Sequence, residues 1–125
     1  MNDNEKIKVL IIDDETAARY GIRKALQLSN FVVDEADNGL TGLQKVRSFD
    51  PDVVLCDLNM PEMNGLEFLK TLTAEFPHPP PTIVITAYGT EKVAVRAMKS
   101  GAYDYLTKPF EKDELLLTVK KAAEK

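Results

Sequence analysis

The feature that most limits what this chain can fold into is a fivefold alternation of strand-like and helix-like segments along its 125 residues. Apolar runs rich in β-branched or aromatic residues recur at 7–12, 31–33, 53–56, 82–86 and 103–107. The first, third and fourth are nearly continuous in apolar residues, as expected of strands covered on both faces of a parallel sheet. The second runs on into Asp34 and Glu35 and reads as an edge strand. Between the runs, apolar positions fall at helical spacing: Ala18, Ile22, Ala25 and Leu26; Leu66, Leu69, Thr73 and Phe76; Leu115, Val119 and Ala122. Asn38 and Asn64 stand where helix N-caps belong, and Thr90 is placed to cap a segment over 91–100 that Gly101 ends. The order is βα repeated five times. It predicts an α/β fold with an open, doubly wound parallel sheet, helices on both faces and a ligand crevice at the carboxyl ends of the strands.

Length and composition bound the rest. With 44% hydrophobic and 29% charged residues the chain has the balance of a soluble domain, and residues 1–125 leave no room for a second one. A net charge of -4 argues against a surface that neutralises nucleic-acid phosphates or anionic lipid, so neither is an expected partner. No apolar stretch approaches the ~20 residues of a membrane span, and the N-terminus lacks a basic region followed by an apolar one, which predicts a soluble, cytoplasmic protein. Cys56 is the only cysteine and sits inside an apolar run, which excludes an intrachain disulfide and reads as a small, reduced core residue. His78, the only histidine, lies in the proline-rich stretch 77–81, an extended, exposed loop, and receives no role.

The chemistry gathers where the strands end. Asp13 and Asp14 follow the first strand, Asp57 closes the third, Thr86 closes the fourth and Lys108 follows the fifth. Taken singly, Asp13 or Asp14 reads as a cap or a solvated loop residue. Three aspartates converging on one spot repel each other unless a cation or a proton compensates, and magnesium, which favours one or two carboxylates plus a phosphate, suits the set. Asp57 directly follows four apolar residues and would sit at the mouth of a buried strand, where a carboxylate needs a partner or a function. An aspartate can attack phosphorus to give an aspartyl phosphate, and the Thr86 hydroxyl and Lys108 ammonium suit phosphoryl oxygens.

These residues resemble the receiver domains of bacterial two-component response regulators. The resemblance spans residues 7–123 and rests on Asp13-Asp14, Asp57-Leu-Asn-Met-Pro-Glu-Met-Asn-Gly65, Thr86-Ala87, Gly101-Ala-Tyr-Asp-Tyr105 and Lys108-Pro109-Phe110. It implies a flavodoxin-like sheet in the order 2-1-3-4-5 and a signalling domain that catalyses only its own phosphorylation and dephosphorylation. By the same resemblance Asp57 is the phosphoacceptor. Asp14 and Asp57 hold Mg2+ through side chains, Asn59 through its backbone carbonyl, and Asp13 mainly through water. Lys108 reaches the phosphoryl group, oriented by a cis Lys108–Pro109 bond. Thr86 and Tyr105 form the switch pair, the hydroxyl moving toward the phosphoryl oxygen and the ring turning inward behind it.

The implied partners are a sensor histidine kinase or phosphotransfer protein, and an output domain or downstream protein that reads the face of the fourth helix, fifth strand and fifth helix. A second copy of the chain, on phosphorylation, is a further one. Lys92, Arg96, Lys99 and Lys112 are candidates for that face, and Asn59 and Tyr88 for tuning the lifetime of the phosphoryl group. In the segments 86–89 and 97–110 the similarity is greatest to receivers of nitrogen-regulatory enhancer-binding activators, which carry an ATPase and a DNA-binding domain. The chain ends at Lys125 without either, which fits a stand-alone receiver or a piece of a longer regulator.

Three other readings share parts of this pattern. A nucleotide- or flavin-binding domain would want glycines where Asp13-Asp14-Glu15-Thr16 stands. A haloacid-dehalogenase-type phosphatase would want a second acid at Asn59. A pseudo-receiver that only binds partners would have a broken acidic pocket, and here every member is present.

Overall fold

The computed structural model describes residues 6–87 and 91–124, so Tyr88 and Thr90 lie outside the described residues. Strands and helices alternate as β1 (Lys8–Ile12), α1 (Thr16–Leu28), β2 (Val32–Ala36), α2 (Gly39–Phe49), β3 (Val53–Asp57), α3 (Gly65–Glu75), β4 (Thr82–Thr86), α4 (Glu91–Lys99), β5 (Asp104–Thr107) and α5 (Lys112–Ala123). The strands form one parallel sheet in the order β2-β1-β3-β4-β5. This is the flavodoxin-like order that the sequence resemblance implies.

Strand alternation divides the interior into two layers. Side chains two apart on a strand share a face. Val9, Ile11, Val53, Leu55, Ile83, Ile85 and Leu106 point to one side and pack against Ile22 and Leu26 of α1 and Leu115 and Val119 of α5. Leu10, Ile12, Val54 and Cys56 point to the other and meet Leu43 and Val46 of α2 and Phe68 and Leu72 of α3. Val84 continues that second side against Leu69 of α3 and Ala97 of α4. β3 and β4 are buried along their whole length, so their continuous apolar sequence reflects cover on both faces.

The differences from the sequence expectation lie at element ends. The edge strand covers Val32–Ala36, with Asp34 and Glu35 in it as expected, while Phe31, expected to open it, precedes it and turns into the core. Those acids are accommodated because cations reach them: Lys45 pairs with Asp34, and Arg19 and Arg23 both pair with Glu35. β3 extends one residue further, to Asp57, and β5 begins at Asp104. The buried stripe of α3 is Phe68, Leu69 and Leu72, whereas Thr73 is exposed and its hydroxyl donates to the Leu69 carbonyl. Asn38 and Asn64 cap α2 and α3 through their side chains, as the sequence predicts. Among the described residues no helix is long and apolar enough to cross a membrane.

Phe68 is fully buried on the side of the sheet that carries α3 toward the strand ends. We expect Phe68→Ala to lower the unfolding free energy by about 3–5 kcal/mol in a denaturant titration, with the midpoint falling and the slope unchanged.

Candidate functional site

Asp57 is the last residue of β3, behind four residues with no exposed surface, and is itself 7% exposed. The sheet holds the backbone just past it, where the Leu58 N–H donates to the Ile85 carbonyl at 3.0 Å. The chain then loops out and returns at Gly65, whose N–H donates to the Leu58 carbonyl at 3.1 Å. A Cβ at Gly65 would lie 2.7 Å from the Asp57 carbonyl oxygen and 2.9 Å from the Leu58 Cα, so this return fits only a residue without a side chain. Asn64 and Glu67 close a reciprocal capping box that fixes the start of α3 at the same point.

Asp13 follows β1 and is 2% exposed. Its backbone N–H donates to the Ala36 carbonyl of β2 at 3.1 Å, and its own carbonyl accepts from Arg19 Nη1 at 2.6 Å. Its carboxylate Oδ1 accepts the Glu15 N–H at 2.9 Å, while Oδ2 is buried without a hydrogen-bond partner, 3.5 Å from Lys108 Nζ. Asp14, the next residue, is exposed, yet carboxylate oxygens of Asp13, Asp14 and Asp57 all lie within 4.8 Å of one another.

Lys108 is brought to this group by the sheet, its N–H donating to the Thr86 carbonyl at 2.8 Å, and its bond to Pro109 is cis. Its ammonium lies beside Asp13 rather than Asp57. Thr86 ends β4 and is 3% exposed. β5 pairs Tyr105 with Val84 and Thr107 with Thr86, so Tyr105 and Thr86 project from the same face of the sheet, the one that α4 covers. Tyr105 is 40% exposed and lines a groove with Ala94, Val95, Met98 and Lys99. Lys92, Arg96 and Lys99 are exposed on α4, and Lys112 lines a separate groove between α1 and the start of α5.

The charges do not balance within the protein. Burial, and then the nearby Asp13 charge, push the Asp57 carboxyl up from its ordinary 3.8 to about 6, against the pull of Lys108 and of the Asn59 backbone N–H, while Asp14 adds a smaller upward push. The same desolvation, followed by the charges of Asp57 and Asp13, raises the Cys56 thiol above its usual range, which leaves it an inert core residue. Three carboxylates with one buried oxygen lacking a hydrogen-bond partner are a donor set that suits a hard divalent cation. Asn59 is exposed beside them, and no second acid stands two residues after Asp57. Arg19 and Ala36, which fix the Asp13 backbone, escaped the sequence reading because their hydrogen bonds involve main-chain atoms, which side-chain patterns do not report.

A family model described as response regulator receiver domain matches residues 9–120. The chain is 42% identical to the regulatory protein AtoC of Escherichia coli over 115 residues, covering 92% of this chain and 25% of that protein. It is 41% identical to the chemotaxis protein CheY of Listeria monocytogenes, covering 94% of this chain and 98% of CheY. The receiver domain of the Francisella response regulator 1452 superposes with a TM-score of 0.89 at 29% identity, covering 95% of this chain and 98% of that one. The chain thus spans about a quarter of AtoC and nearly all of CheY.

A carboxyl whose folded pKa lies above its unfolded value binds more protons when folded, so it costs stability above the folded pKa and the cost fades as pH falls toward the unfolded one. Between 3.8 and about 6 this cost of Asp57 shrinks steadily. We expect Asp57→Asn to stabilise the metal-free protein by about 1–2 kcal/mol at pH 7.5, with the gain vanishing near pH 4, read from paired denaturant titrations across pH.

Proposed function

The chain belongs to the response regulator receiver domain family, and from that membership we propose that it is the phosphoryl-accepting switch of a two-component system, with Asp57 as the acceptor. One observation carries this reading: a carboxylate held at the carboxyl end of a buried strand, with Asp13, Asp14 and Lys108 gathered around it. The donor in this reading is a phosphohistidine on a sensor histidine kinase or a phosphotransfer protein. An oxygen of Asp57 attacks phosphorus in line, the new P–O bond forms as the P–N bond breaks, and the electron pair leaves with the imidazole.

Asp14 and Asp57 would hold Mg2+ directly, Asn59 through its carbonyl and Asp13 through water; when bound, the ion supplies the positive charge that offsets the carboxylates and the incoming phosphoryl oxygens. The protein's own residues do the rest. The β3 ladder and the Gly65 return fix the Asp57 backbone, which limits the approach to the carboxylate. Lys108 supplies the third positive charge against three carboxylates, and phosphorylation makes the site roughly one unit more negative. Lys108 then leaves Asp13 for a phosphoryl oxygen, and the Thr86 hydroxyl donates to another.

Movement of Thr86 opens space on the face it shares with Tyr105, and the tyrosine ring, which lines the surface groove in this structure, turns in to fill it. The result is a population shift between two packings of α4 and β5, read on the α4–β5–α5 face by an output domain, a downstream protein or a second copy of the chain. Val95, Met98 and Tyr105 give that face an exposed apolar centre, and Lys92, Arg96 and Lys99 lie on the same helix.

Incubation with magnesium and acetyl phosphate should add the mass of one phosphoryl group to the intact protein, and Asp57→Asn should abolish it; an adduct that persists in the variant would move the acceptor elsewhere. Lys108→Ala should still accept the group but lose the response of α4 and β5, seen as amide chemical shifts in those elements that no longer change on phosphorylation.

A further inference from the structure

Arg19 joins the first acidic loop to the edge strand. Its guanidinium donates from Nη1 to the Asp13 carbonyl at 2.6 Å and from Nε to Glu35 Oε1 at 3.0 Å, and its side chain is only 15% exposed. Arg23 grips the other oxygen of Glu35, so the acid is held from two sides. The neighbouring hydrogen bond, from the Asp13 N–H to Ala36, anchors the same residue to the same strand. Both backbone polar groups of Asp13 are therefore tied to the end of β2, one directly and one through Arg19.

The consequence reaches Asp14. The Asp13 carbonyl oxygen and the Asp14 nitrogen belong to one rigid peptide plane, so fixing the oxygen fixes the direction in which the chain enters Asp14. The relative placement of the two carboxylates is set by that plane together with the Glu15 N–H on Asp13 Oδ1. The planar fork of an arginine holds a carbonyl and a carboxylate at once in a fixed geometry, whereas lysine offers one ammonium on a flexible stem.

We propose that Arg19 is a positioning residue for the cation site: by clamping the Asp13 carbonyl to Glu35 it holds Asp13 and Asp14 at the spacing a divalent cation requires. It acts on cation affinity and leaves the chemistry at Asp57 untouched. This rests on the reading of the pocket as a magnesium site.

The test is Mg2+ binding by isothermal titration calorimetry on the whole chain, together with the Mg2+ dependence of phosphorylation by acetyl phosphate. Arg19→Gln should weaken Mg2+ binding about tenfold, as loss of groups that orient metal ligands commonly does, and Arg19→Lys should fall between it and the wild type. The Mg2+ concentration for half-maximal phosphorylation should rise in step while the rate at saturating Mg2+ stays unchanged. Loss of stability alone would not produce that split.

Glu35→Gln keeps Arg19 and removes the charge at the far end of the clamp, and should weaken Mg2+ binding about threefold; if Arg19→Gln does not fold, this variant decides. Wild-type affinity in a folded Arg19→Gln, or in Glu35→Gln when it alone is folded, overturns the role of Arg19 while leaving the magnesium site standing. No Mg2+ binding by the wild type overturns both.

Discussion

Two carboxylates, those of Asp13 and Asp57, are held almost out of water at the carboxyl ends of adjacent parallel strands. Their mutual repulsion is the constraint on which the rest of this molecule depends. Burial, and then the Asp13 charge, push the Asp57 carboxyl up to about 6. The only side-chain cation within 4 Å of these carboxylate oxygens among the described residues is Lys108, and it leans on Asp13. A site with surplus negative charge, a buried oxygen lacking a hydrogen-bond partner and one ammonium beside it suits a hard divalent cation.

The sheet makes that arrangement possible. With the order β2-β1-β3-β4-β5, the chain winds outward in opposite directions from β1 and β3, so the loops after these two strands separate and leave a crevice where Asp13 and Asp57 meet. Each wall of the crevice is fixed by main-chain bonds. The β3 side is held by the ladder beyond Asp57 and by the close return at Gly65. The β1 side is held by Ala36 and by Arg19. Repulsion between the acids is thus opposed in good part by bonds to their main chains, and Asp13 Oδ2 keeps no hydrogen-bond partner of its own.

The same sheet places Thr86 and Tyr105 on adjacent strands. Thr86 and Tyr105 share one face because their strands are in register, with Thr86 paired to Thr107 and Val84 to Tyr105. Thr86 is buried at the strand end, while Tyr105 reaches the groove beside α4. In the proposed switch a change of packing at the first would reach the second across the space between two adjacent strands.

The βα alternation, the two-faced burial of β3 and β4, the edge position of β2, the two asparagine caps and the gathering of Asp13, Asp14, Asp57, Thr86 and Lys108 at one end of a sheet were all legible in the residues. They follow from side-chain polarity and spacing, which are local properties of the chain. The start of β2 and the stripe of α3 were misread because Phe31 turns into the core ahead of the strand, and because Phe68 and Leu72 rather than Thr73 met the sheet. By itself, then, the sequence determined which groups arrive at the strand ends. Only the tertiary structure decided that Lys108 rests on Asp13, that Asp57 is raised toward neutrality, and that Arg19 secures the Asp13 backbone. These depend on distances between elements, on the water excluded between them and on main-chain hydrogen bonds, none of which residue identity encodes.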